Sequence, residues 1–159
     1  MQVSALLRYT LTAAYPPEAQ QLVVESVLIA AESIITHRRR YPARGGVDTV
    51  LELLITDRGN PRSVAFQLDR LEDDLRHTPA AEHTMGQARK LCHALGDRLQ
   101  SVDCSGLVEI AGEQRPSLLM FLDEVGEDLR QLYVLIATAH FVHPAALRPL
   151  DPYAVSEAV

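Results

Sequence analysis

Between Pro116 and Val142 the apolar residues fall at Leu118, Leu122, Val125, Leu129, Leu132, Ile136 and Ala139. The steps alternate between four and three residues, the spacing that lines one seam of a bundle helix. A strand would need alternation at every second residue, and no stretch of the chain alternates β-branched with polar residues over strand length. Val64, Leu68, Leu71 and Leu75 repeat the same four-three-four pattern. These seams make the chain all-α. With 5% aromatic residues and no Trp, the core must be built from Leu, Val, Ile and Ala, which suits helix packing.

Proline and glycine divide the chain into about six helices. Tyr15-Pro16-Pro17 ends a first helix over Val3–Ala14 and places Pro17 in the first turn of the next, where a missing N–H costs nothing. The second helix is predicted to run unbroken from Glu18 to Arg40. Its apolar residues cover much of its circumference, which predicts a central helix with neighbours on several sides. Tyr41-Pro42 and Gly45-Gly46 stop it. A short apolar third helix covers Val47–Asp57. Then Gly59 fits a left-handed C-terminal cap, Asn60 the following N-cap, and Pro61 the first helical position. The fourth helix runs to about His77 and the fifth from Ala80 to Gln100. The segment Val102–Gln114 reads as loop with one short helical turn. The expected architecture is an elongated bundle without sheet, one domain over residues 1–143 and a Pro-containing tail over 144–159.

The net charge of −6 argues against a nucleic-acid-binding or anionic-membrane-binding protein. Cys92 and Cys104 make neither a disulfide framework nor a zinc pattern and read as free thiols. No run of about 18 apolar residues is present. Arg8 interrupts the early apolar stretch, so the N-terminus does not read as a signal peptide. These features predict a cytoplasmic location.

Three stretches carry a resemblance. Glu32-Ser33-Ile34-Ile35-Thr36-His37-Arg38-Arg39-Arg40-Tyr41, then Val50-Leu51-Glu52-Leu53-Leu54, then Asn60-Pro61-Arg62-Ser63-Val64-Ala65-Phe66-Gln67-Leu68 are similar to the C-terminal half of the bacterial alpha-E domain. The resemblance is densest over residues 25–75 and loosens towards His143. It implies an all-helical fold. It also implies association with circularly permuted ATP-grasp proteins in systems that make or modify peptides. The Glu-Arg signature of that family occurs nowhere in this chain, so an activity that depends on it is not expected of this chain alone.

The candidate sites are mainly arginines. Arg62, read as the second residue of a helix, would put a cation where the helix dipole opposes it. Either a carboxylate or a bound anion could hold it there. Asn60 and Ser63 could join an anion site at the same helix start or act as plain caps. Arg38, Arg39 and Arg40 could grip phosphate with their planar forks or simply complement the helix end. Glu25 and Glu32, seven residues apart on one helix, read as buried acids. They could pair with these arginines or serve as acid and base. His140 and His143 read as a helix-end pair, because two ligands do not make a metal site. No cofactor motif is present: the chain lacks a Gly-rich phosphate loop, a nucleophile elbow and His-Glu-x-x-His. Three functions follow as expectations. They are a non-catalytic accessory domain for an ATP-grasp-type ligase, half of an enzymatic site around Arg62, or a self-associating bundle.

Overall fold

The computed structural model describes residues 3–42, 45–78 and 82–141. The side chains of residues 82–84 and of 140–141 are outside this description, as are the tail over 144–159 and the pair His140 and His143. Eight α-helical segments occur among the described residues: α1 Val3–Leu11, α2 Pro17–Ala30, α3 Ile34–Arg40, α4 Val47–Leu51, α5 Val64–His77, α6 Glu82–Ser101, α7 Cys104–Leu107 and α8 Pro116–Phe141. There is no strand among them. The nearest approach is a pair of isolated bridges, Ala13 to Gln114 and Ala111 to Gln114. Gly112 makes that turn possible with a φ of 66°.

The all-α class holds, and most ends fall near the punctuation. The second helix is the main correction. It does not run from Glu18 to Arg40 but ends at Ala30, and α3 departs at 118° to it. The break has a definite chemistry. The Ser33 N–H donates to the Leu28 carbonyl at 2.8 Å and the Glu32 N–H to the Ile29 carbonyl at 2.9 Å. These are the two bonds of a Schellman cap. Such a cap places one residue in the left-handed region, and here that residue is Glu32, with a φ of 51°. No glycine marks the stop, so no residue-type punctuation stands at this break.

The central helix is also not the expected one. Val50, Leu51, Leu53, Leu54 and Ile55 are all essentially inaccessible to solvent. They belong to α4 and to the π-helical turn Glu52–Thr56 that continues it. This segment is touched by α2, α5, α6 and α7. By contrast, α2 buries Val24, Val27 and Leu28 and leaves Leu22 and Ile29 exposed. Around the centre, α6 packs on α5 and α8, and α1 packs on α8. The four-three seam of α8 supplies Leu118, Leu122, Val125 and Leu132 to the core. The short turn expected within Val102–Gln114 is α7, capped by Asp103, whose carboxylate accepts from the N–H groups of Ser105 and Gly106 at 3.0 and 3.2 Å.

One buried cation carries no signal in the sequence. Arg115 is 4% exposed. It donates to the carbonyls of Leu11 at 3.0 Å and Ala13 at 2.5 Å, and to Gln20 Oε1 at 2.6 Å. The last carbonyls of a helix have no partner within it. Arg115 supplies one from the start of α8, locking the end of α1 to α2 and α8. Burial lowers its pKa from the ordinary value.

Candidate functional site

The elbow between the π-helical turn and α5 holds most of the residues the sequence singles out. The Asp57 N–H reaches back five residues to the Glu52 carbonyl at 3.0 Å, and the chain then leaves in extended conformation at Asp57. Gly59 therefore does not adopt the left-handed conformation expected of it. Its N–H donates instead to Asp57 Oδ1 at 2.9 Å. Asn60 is buried but is not the N-cap of α5. Its amide donates to the Leu53 carbonyl at 2.9 Å, and its Oδ1 accepts from the Arg62 N–H at 3.1 Å. It thus satisfies a carbonyl that the π-helical turn leaves open. The cap is Ser63, whose hydroxyl accepts from the Phe66 N–H at 3.0 Å. Pro61 and Arg62 accordingly precede the helix, and Arg62 is not at its second position.

The arginines do not meet in one cavity. Arg62 pairs with Glu32, Arg38 with Glu25 and Arg40 with Asp57. Arg62 lies at the edge of a cleft of about 260 Å³ whose other walls include Val3, Leu68, Leu71 and Leu129. Arg39 and Arg40 line a different one with Thr36, Asp57 and Gly59. Glu32 is exposed and Glu25 is half-buried, so neither is the buried acid the sequence suggests. The bend between α2 and α3 also removes Glu32 from the face of the helix that carries Glu25.

Arg38 and Glu25 border a third cleft, of about 290 Å³, between α2 and α3. Its inner wall holds His37, which no sequence motif marks as a site residue. His37 is 4% exposed, and its Nε2 lies 2.8 Å from Thr49 Oγ1. The Thr49 hydroxyl donates its single proton to the Gly46 carbonyl at 2.9 Å. The arrangement that satisfies both contacts has this hydroxyl accept from His37, with the proton of the imidazole on Nε2. Burial pushes the pKa of His37 below its ordinary value, opposed by the nearby Asp48. The ring packs against Tyr41 with centroids 5.1 Å apart. Tyr41 itself is pushed up to about 12, first by burial and then by its hydrogen bond to Glu52. The available signal for this site was His37 one turn before Tyr41, but its partner Thr49 lies across a tertiary contact.

Cys92 and Cys104 are free and buried, and burial is the main cause raising both thiols to about 11. Among the described residues no group of three His, Cys, Asp or Glu side chains could hold a metal ion. No single helix among them is long and apolar enough to cross a membrane.

Comparison with known proteins agrees with the resemblance in the sequence. Residues 1–141 match the Alpha-E family model, described as a predicted alpha-helical domain with a conserved ER motif. The chain belongs to the Alpha-E family. This Alpha-E chain is 30% identical over 149 residues to uncharacterised proteins of Mycobacterium bovis and of two strains of Mycobacterium tuberculosis. The match covers 93% of the chain and 17% of each relative. The chain thus spans about a sixth of the length of these relatives. No solved structure matches this Alpha-E chain.

Proposed function

We propose that this chain is a non-catalytic helical accessory domain that docks through the outer face of α2 onto an ATP-grasp-type peptide ligase or a related peptide-modifying enzyme. The observation that carries this reading is the exposed apolar surface of α2 and α3. Leu22, Ile29 and Ile35 are 66%, 58% and 71% exposed. Leu22, Ser26 and Ile29 share one helical face by their spacing of four and three. The Ser26 hydroxyl is turned back onto the Leu22 carbonyl at 2.7 Å. Exposed apolar surface that gathers into a patch marks interaction sites in soluble proteins. Arg40 and Arg62 offer less to a docking partner, because each already faces a carboxylate. The choice of partner rests on the family resemblance, and the small share of the relatives' length leaves room for a partner within the same polypeptide.

Sedimentation of the chain with a circularly permuted ATP-grasp protein from the same genome tests this reading. A complex with the native chain that is lost in the Leu22→Asp/Ile29→Asp variant supports it. If the native chain sediments without forming a complex, the reading fails. If the variant binds as well as the native chain, α2 is not the docking face. Self-association through the same face is the competing outcome, and it would appear as a concentration-dependent dimer without the second protein.

A further inference from the structure

The cleft between α2 and α3 contains an unused hydrogen-bond acceptor. With the proton of His37 on Nε2, its Nδ1 carries a lone pair. No described side chain or backbone group donates to it. An imidazole this buried is normally satisfied at both nitrogens. Here the ring lines an open cleft instead. Val24, Leu28 and Ile34 make the apolar part of that cleft, and the ion pair of Glu25 and Arg38 stands at its rim. The pair is half-open to solvent, so it is held weakly. It presents opposite charges side by side, next to a neutral acceptor.

We propose that this cleft binds a small zwitterion of the α-amino acid kind, with its ammonium donating to His37 Nδ1 and Glu25 and its carboxylate taken by Arg38. The ammonium and carboxylate of such a molecule are as close together as the two charges of the rim pair. Each rim group exchanges its partner for one of like charge, so no uncompensated charge is left behind. An anion alone would satisfy Arg38 but would leave Glu25 without its cation and Nδ1 without a donor. A cation alone would leave Arg38 unpaired. This assignment is independent of the docking face on α2, since it concerns the inward side of the same helix.

The test is a titration of the chain carrying 15N-labelled histidine, followed through the long-range proton couplings of the His37 ring. The free protein should show Nε2 protonated and Nδ1 unprotonated at neutral pH. L-alanine should shift Nδ1 saturably in the millimolar range, whereas methylammonium and acetate, each supplying one charge, should bind roughly tenfold more weakly. Glu25→Gln and Arg38→Gln lie at the exposed rim and should keep the amide spectrum of the fold. Each should weaken alanine binding by roughly tenfold or more. Nδ1 found protonated in the free protein would overturn the proposal. So would an absence of saturable shifts with alanine, meaning that the cleft holds solvent, or equal binding of alanine by the two rim variants.

Discussion

The elbow and the α2–α3 arm use similar residues to opposite effect. In the elbow, polar side chains are turned inward and spent on the backbone: Asn60 on Leu53, Ser63 on Phe66 and Thr56 on Glu52. The apolar side chains of the preceding segment are buried all round. In the arm, apolar side chains face outward, a glutamate occupies a backbone conformation suited to glycine, and the ion pairs are exposed. The difference separates a region built for stability from one whose surface is not used by the fold. Buried polar groups must be satisfied internally, so the elbow is fully engaged, and surface left apolar is free for another molecule.

Substitutions should expose this contrast. Leu54→Ala, in the centre, should cost about 2–5 kcal/mol, whereas Ile29→Ala, on the outer face of α2, should change stability by less than about 0.5 kcal/mol. Chemical denaturation of the two variants checks both, and similar losses would erase the distinction. Asn60→Ala should come next, at about 1–3 kcal/mol, because it strands the buried Leu53 carbonyl. A Tm unchanged by that substitution would mean that Asn60 does not hold the elbow. Glu32 gives a smaller effect of opposite sense. Glu32→Gly and Glu32→Ala both delete the ion pair with Arg62, but alanine keeps a Cβ in the left-handed region. The glycine variant should be more stable than the alanine variant by about 1 kcal/mol, and the reverse order in thermal melts would contradict the Schellman geometry at this break. Arg62→Ala should have the smallest effect. The pair is 57% and 68% exposed, so its loss should cost about 0–1 kcal/mol, measurable by the same denaturation.

The same contrast explains what the sequence reveals. Where structure follows from local chemistry, it is legible. Pro17 and Pro116 open helices, Asp103 caps α7, and the four-three seam of α8 faces the core. Where a tertiary contact decides, it is not. Asn60 and Ser63 are both good caps by residue type, and it is the open Leu53 carbonyl of the π-helical turn that draws Asn60 inward and leaves the cap to Ser63. Glu32 carries no turn propensity, so the bend at Ala31 to Ser33 was hidden inside an apolar periodicity that continues across it. Arg62 stands out in the sequence because a cation at a helix start is unfavourable. Its position one residue before the cap, and the carboxylate that meets it, come from how the elbow packs under the arm. His37 is not legible as a site residue because its hydrogen-bond partner, Thr49, belongs to another helix.

The proposed docking reading makes the outer face of α2 the working surface and the elbow closed structure. Hydrogen exchange of the chain, alone and mixed with a circularly permuted ATP-grasp protein from the same genome, tests it most directly. Slowed exchange confined to Pro17–Ala30 and Ile34–Arg40 is expected in the mixture, with the amides of Asp57 to Val64 unchanged. Protection appearing at Asp57 to Val64 while α2 exchanges as it does in the chain alone would contradict it.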